Sequence, residues 1–270
     1  MTQGFRSSMS VVALMTDFGT RDHYVAAMKG VILQINPKAV LVDITHEIEP
    51  HQVADAAFVL RQVFPCYPEN TVFVAVVDPT VGTGRRILTA RYSGRYVVAP
   101  DNGILTFVHR DAELQEIRVV DNRMLMASTI SNTFHGRDIM APVAGHLSKG
   151  LPMDRFGPVA DRIEALKIPR PAYGQDGAVD GQVLYIDRFG NLITNISALD
   201  LAAGRSNTST HHVLFGSRPI GPVRDTYADV PSGELLALVG STQMLEIAAN
   251  SGSAAAILDA HRGDPVRVRL

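Results

Sequence analysis

Tryptophan is absent from this chain, cysteine occurs once, and aromatic residues make up only 6% of its 270 residues. The single thiol, Cys66, forms no internal disulfide and supplies no cysteine cage for a metal, so a reducing compartment fits the composition. Free cysteine behaves as a small hydrophobe, and Cys66 is read as inert. An excess of one charge is lacking too. Lysine and arginine total 25 against 27 acids, a formal net charge of -2, which leaves no electrostatic footprint for nucleic acid. No apolar run approaches the length of a membrane span. The first ten residues carry Arg6 without an apolar core, and the run 11–15 stops at Asp17. A signal peptide is therefore not expected, and a cytoplasmic location is. What the chain does have is apolar side chains, 46% of the total. That is enough for one large domain, or for a main domain with a smaller partner.

The stretch 71–86 organises the rest. Residues 71–77 are apolar and β-branched with little alternation, the pattern of a strand covered on both faces. Asp78, Pro79, Gly82, Gly84, Arg85 and Arg86 follow at once. In an open parallel sheet, that boundary lies in the crevice where ligands bind. Further strands are predicted at 11–15, 39–44, 87–92, 96–99 and 116–120. Helices are predicted from near His23 to Asn36, with Thr20 or Asp22 as cap, and at 53–63, from 104 to 109, and at 139–147. The last of these begins at His135 to Asp138, an anion-friendly helix start. Such alternation is βαβ architecture with right-handed crossovers.

Composition shifts after Gly150. Pro152, Pro158, Pro169 and Pro171, with Gly174 and Gly177, mark a linker and a boundary between 165 and 178. Beyond it short strands are predicted at 181–186, 192–196, 212–215, 234–239, 245–249 and 265–268, without a long helix. A small β-barrel or sandwich accommodates that pattern. Residues 204–210 read as a polar, exposed loop.

Four strand ends in the first half deliver polar clusters: Asp17, then Asp43 with His46, then Asp78, then Asp101 with Asn102. His135 to Asp138 make a fifth. Recurrence at equivalent places favours a shared site over five unrelated turns. Two chemistries suit such groups. One is metal-assisted phosphoester hydrolysis, although no HxH or HExxH spacing occurs. The other is metal-free attack by water, in which a positive charge favours hydroxide character and a neighbouring group orients the nucleophile. Asp78, Arg85 and His135 suit the second. A phosphate loop at Gly82 to Gly84 lacks its lysine and its full glycine spacing. In the second half, Asp187, Phe189 and Asn191 place an acid, an aromatic ring and an amide within one turn, fit to grip an amine and stack on a planar base. An ordinary hairpin remains the alternative there. The small-residue turn at Gly240, Ser241 and Thr242 offers backbone N–H groups to a carboxylate. Asn250 does the same or shapes its own loop.

At these residues the chain closely resembles the family of S-adenosylmethionine hydrolases, also called hydroxide adenosyltransferases, which are homologous to the fluorinase and chlorinase enzymes. Six motifs carry the likeness, in order, over nearly the whole chain from Val11 to Leu270. They begin at Thr16, Asp43, Asp78, Pro100, Phe134 and Asp187. The resemblance implies an α/β fold, with a central, mostly parallel seven-stranded sheet between helices in residues 1–165. A linker at 166–178 and a smaller β-barrel domain at 179–270 complete it. It also implies a homotrimer with sites between subunits. The reaction implied is S-adenosyl-L-methionine plus water to adenosine and L-methionine, by attack at the ribose C5′, with no metal and no cofactor. Carried over by motif, Asp78, Arg85 and His135 form the hydrolytic triad. Asp17 holds the ribose hydroxyls, and Asn102 and Gly136 belong to the substrate site. Asp187 and Ser241 hold the methionine amine and carboxylate, Phe189 and Asn191 the adenine, and Asn250 completes that pocket. The halogenating relatives resemble this chain but have tyrosine at the position of Asp78, lack the pair His135–Gly136, and carry an added loop. Water is thus the expected nucleophile. Thr80 stands where the family commonly has glycine, and Thr242 where the halogenases have arginine. A metal-dependent nucleotide phosphohydrolase and a non-catalytic adenosine-binding module are the alternatives.

Overall fold

The computed structural model describes residues 10–203 and 211–269. The polar segment 204–210 lies outside the described residues, as do the first nine residues. Packing divides the chain into two units, Met1–Leu166 and Lys167–Leu270.

The first unit contains β1 (Val11–Thr16), α1 (Tyr24–Ile35), β2 (Val40–Thr45), α2 (Val53–Val63) and β3 (Val72–Val76). It continues with β4 (Ile87–Tyr92), β5 (Arg95–Pro100), α3 (Thr106–Asp111), β6 (Leu114–Val119) and α4 (Ala141–Ser148). The strands form one sheet in the order β2-β1-β3-β5-β4-β6. β2, β1, β3 and β5 run parallel, and at one side β4 pairs antiparallel with β5 and β6 antiparallel with β4. Period-two side-chain alternation explains why β3 shows none in its sequence. Val72, Val74 and Val76 pack with Met28, Ile32, Val143 and Leu147 of α1 and α4. Phe73 and Ala75 point to the other face and pack with Ala56 and Leu60 of α2. Both faces are apolar because both are covered.

Two expectations need correcting. The sheet has six strands among the described residues, not seven. Residues 158–160 run beside β6, with Val119 N–H donating to the Pro158 carbonyl and Ala160 N–H to the Ile117 carbonyl. Only one bridge forms, between Arg118 and Val159, because Pro158 has no N–H to extend the ladder. The cap of α1 is His23, without a side-chain cap bond, rather than Thr20 or Asp22. Thr20 Oγ1 donates instead to Glu47 Oε1 at 3.4 Å.

The second unit contains β7 (Ala172–Tyr173), β8 (Val179–Ile186), β9 (Leu192–Ser197), α5 (Ala198–Ala203), β10 (His212–Phe215), β11 (Arg218–Arg224), β12 (Leu235–Val239), β13 (Met244–Ala249), α6 (Ala254–Leu258) and β14 (Pro265–Arg269). Its sheet closes through the pairing of β14 with β8, which makes a barrel and excludes the sandwich alternative. β7 lies outside the closure as a two-residue strand on β8. The sequence concealed β11. Pro219, Gly221 and Pro222 read as breakers, yet the strand pairs antiparallel with β10 through a register shift and parallel with β12. Among the described residues, no helix is long and apolar enough to cross a membrane.

Candidate active site

Four parallel strands end at the same edge of the first sheet, but their polar clusters divide into two kinds. Asp43 and Asp101 are held by protein partners. Lys29 Nζ donates to Asp43 Oδ2 at 2.7 Å, and His46 Nε2 lies 3.0 Å from Asp43 Oδ1. Burial acts to raise the Asp43 pKa, yet the Lys29 and His46 contacts outweigh it and hold the group below its ordinary value. His46 is buried, and its Nδ1 pairs with Thr16 Oγ1 at 2.9 Å, tying the end of β2 to that of β1. Asp101 accepts two bonds from Arg86, at 2.6 and 2.9 Å, and one from Glu164 N–H at 2.7 Å. Asn102 is likewise spent on backbone, donating to the Val77 carbonyl at 2.8 Å and accepting from Ile104 N–H at 3.3 Å.

Asp17, Asp78 and His135 face a common space instead. A cavity of about 230 Å³ is lined by Asp17, Phe18, Pro50, His51, Val76, Asp78, Val81, Thr133, Phe134, His135 and Gly136. Arg85 links two members of the group, Asp78 and His135. Its Nε donates to Asp78 Oδ2 at 2.6 Å, and its Nη2 reaches the same carboxylate oxygen. Both side chains are buried, 7% and 5% exposed. A buried ion pair of this kind is intact only while both partners are present. Arg85 Nη2 also lies 2.9 Å from His135 Nδ1. Guanidinium nitrogens only donate, so Nδ1 accepts and the imidazole is neutral with its proton on Nε2. Burial first, then the Arg85 charge, lowers the His135 pKa from 6.5, against the pull of Asp78 and Asp138.

The loop between Asp78 and Arg85 depends on Gly82. Its φ of +81° lies in the left-handed region, and a Cβ there would sit 2.5 Å from the Asn132 carbonyl oxygen. That close approach brings the Arg85 loop against the segment that carries His135. Thr80, which stands where the family commonly has glycine, donates its hydroxyl to Asp78 Oδ1 at 3.1 Å. The Asp78 carboxylate is thus held at both oxygens. His135 precedes a π-helical turn, Gly136–Met140, which runs into α4. Such turns recur at functional sites because they swing a side chain out of helical register. At the helix start expected to favour anions, the N–H groups of Arg137 and Asp138 donate to the Phe134 carbonyl, at 3.1 and 3.0 Å. Asp138 accepts from Ser131 N–H at 2.8 Å and from Arg137 Nε at 2.6 Å. Gly136 lines the cavity, and a Cβ there would lie 3.2 Å from Met28 Sδ.

The second unit has its own cluster. Asp187 Oδ1 accepts from the N–H groups of Phe189 and Asn191, both at 2.9 Å, and Oδ2 accepts from Asn191 Nδ2 at 3.0 Å. These bonds fix a turn that leaves Phe189 75% exposed. Ser241 is exposed on the turn after β12. Next to it, the buried Thr242 Oγ1 has no hydrogen-bond partner among the described residues. Asn250 shapes its own loop, its amide donating to the Val230 carbonyl at 2.8 Å. Sequence reading missed Glu246 and Tyr227. The Tyr227 hydroxyl donates to Glu246 Oε1 at 2.7 Å, and Oε2 lies so near Gly240 that a Cβ there would be 2.5 Å away. Burial, and also the charge of Asp187, raise the Glu246 pKa despite the tyrosine bond. An acid buried at a strand position carries no motif, so only the fold reveals it.

Both units have counterparts among known proteins. Residues 12–157 match the SAM hydroxide adenosyltransferase N-terminal domain, and residues 181–267 its C-terminal domain. The (R)-S-adenosyl-L-methionine hydrolase of Thermus thermophilus is 36% identical over 267 residues, covering 96% of this chain and all of that protein. The protein of the same name from Salinispora tropica is 36% identical over 263 residues, covering 95% of this chain and 97% of its own. A crystal structure of an uncharacterized conserved protein from Thermotoga maritima superposes with a TM-score of 0.90 at 40% identity, over 96% of this chain and all of that one. Both domain models are met in order on the two units described above, so the chain belongs to the S-adenosyl-L-methionine hydroxide adenosyltransferase family.

Proposed function

We propose that this protein hydrolyses S-adenosyl-L-methionine to adenosine and L-methionine, with Asp78, Arg85 and His135 as its catalytic residues. One observation carries the reading: a buried acid–guanidinium pair holds a neutral histidine at the wall of a cavity that also presents Asp17. The oxygen of water or hydroxide attacks C5′ while the C5′–sulfur bond breaks. The electron pair leaves with sulfur, which departs as the neutral thioether of methionine and so needs no general acid. The one proton the nucleophilic water loses passes to solvent, because His135 Nδ1 is taken by Arg85 and does not accept it. The Arg85 charge and the donor His135 Nε2–H both favour the hydroxide form of the nucleophile. Asp78 fixes Arg85 and balances its charge.

The remaining assignments belong to the same proposal. Asp17 holds the ribose diol beside Gly136, with Asn102 supporting the end of β3. Asp187 and Ser241 take the amine and carboxylate of the methionine half. Phe189 stacks on adenine, helped by Asn191 and by backbone groups near Asn250. The two functional domains are residues 1–165 and 179–270, joined by 166–178. The protein works as a homotrimer in the cytoplasm, its sites shared between neighbouring subunits. An exposed Phe189 on a turn preset by Asp187 supports that arrangement, since an immobilised apolar ring is poised for a partner surface.

The test is incubation with S-adenosyl-L-methionine in oxygen-18 water, with chelator present, followed by mass analysis of the adenosine. Label in the 5′-hydroxyl is the expected result. Unchanged substrate, or label elsewhere, overturns the reading.

A further inference from the structure

The turn that leads into α2 contains a residue out of place. Glu49, Pro50, His51 and Gln52 form it, closed by Gln52 N–H donating to the Glu49 carbonyl at 3.0 Å. His51 has φ +69°. Proline second and a positive φ third is the pattern of a type II turn, whose third position favours glycine or asparagine because a Cβ is crowded there. Histidine occupies it. Backbone strain retained where glycine would relieve it points to a side chain that is needed. Two further observations say what for. His51 N–H donates to Asp17 Oδ2 at 2.9 Å. His51 and Pro50 also line the cavity that holds Asp17, Asp78 and His135.

We infer that His51 is a substrate-contacting residue that sets affinity for the ribose. Its backbone N–H fixes the Asp17 carboxylate, and its imidazole forms the cavity rim against the sugar that Asp17 holds. The inference rests on the proposed function, in which this cavity receives the ribose. The N–H uses one of roughly four acceptor positions on the carboxylate, which leaves enough for two vicinal hydroxyls. Pro50 makes the arrangement stiff by fixing its own φ, so the carboxylate is aimed before substrate arrives. Side chain and backbone thus have separable duties. That separation makes the idea testable.

His51→Gly keeps the N–H, relieves the strain and deletes the ring. His51→Asn keeps a polar side chain that tolerates the turn. In the full-length protein, His51→Gly is expected to melt no lower than wild type. Its KM for S-adenosyl-L-methionine and its Kd for adenosine should rise together by about three- to tenfold, the worth of one contact, with kcat nearly unchanged. His51→Asn should fall between. A residue kept only for the turn gives a glycine variant of the same undiminished stability but with wild-type KM and Kd. That outcome overturns the inference while wild type still binds adenosine and turns over. Wild type that does neither overturns the proposed function itself, and this inference with it.

Discussion

His135 has no freedom to act as a base at Nδ1 while Arg85 Nη2 donates to it at 2.9 Å. Its role in the proposed reaction is therefore that of an N–H donor, which separates two kinds of substitution. His135→Gln supplies an amide N–H and is expected to keep activity within about tenfold, whereas His135→Ala loses about a hundredfold or more, as for one preorganised donor. Equal losses in both would indicate proton transfer instead. The pH dependence has a definite sign. Burial and Arg85 lower the His135 pKa below 6.5, so the folded protein resists a proton that the unfolded chain accepts. Stability from this group is whole above pH 6.5 and is lost as pH falls from there through the lowered folded value. Protonation also breaks the Arg85 contact, so the acid limb of kcat should lie below pH 6.5 and vanish in His135→Gln. A pH–rate profile of both proteins checks it. At this scale the sequence was partly readable. Asp17, Asp78, Arg85 and His135 stand in recognisable motifs, and the fold gathers them. Thr80 and His51 look like ordinary turn residues until their partners, Asp78 and Asp17, are seen. Asn102 and Asn250 sit in loops that suit ligand binding, but both amides hold backbone carbonyls.

Elements were legible where pattern and burial agree. α2 lies at 53–63 as its helical spacing predicts, and β3 is buried on both faces as its unbroken apolar run requires. Strands that break local rules were not legible. β11 contains two prolines and a glycine, and its pairing is decided by barrel closure rather than by propensity. The π-helical turn after His135 has no sequence signature either. It is a consequence of packing. The element that decides the site is the loop from Asp78 to Arg85, and Gly82 holds it against Asn132. Gly82→Ala is expected to cost about 1–3 kcal/mol, from the left-handed φ and the clash with the Asn132 carbonyl. Displacing the loop also moves Arg85 from His135, so kcat should fall with little change in adenosine affinity. Gly84→Ala is the control. It lies in the same loop with open space around a Cβ and no positive φ, and it should preserve kcat. Thermal melts with single-turnover rates of both variants decide the matter. Loss of activity in the two alike would mean that the loop needs only flexibility.

The residues of the proposed chemistry fall in both units of the chain. Asp78, Arg85, His135 and Asp17 all lie in Met1–Leu166, and Asp187, Phe189 and Ser241 in Lys167–Leu270. If each working site of the proposed trimer takes its first unit from one subunit and its second from a neighbour, two dead proteins contain one live combination. Arg85→Ala removes the guanidinium from the first unit, and Asp187→Ala removes the acid from the second. Each homotrimer should be inactive, because every site in it is defective. Unfolding the two together and refolding them at equal ratio assorts subunits randomly. About a quarter of the sites then pair an intact first unit with an intact second one, as closed cyclic symmetry requires. Activity should recover toward about a quarter of that of wild type refolded in parallel, and mixing without unfolding should recover none if subunits do not exchange. Sites built within single subunits give a different answer. Each chain then carries its own defect wherever it sits, and no ratio or refolding restores turnover. The mass of the refolded species, measured by light scattering, shows whether three subunits are present when activity returns. A monomer with restored activity is impossible on either arrangement, so recovery of turnover and a threefold mass must appear together for the shared site to stand.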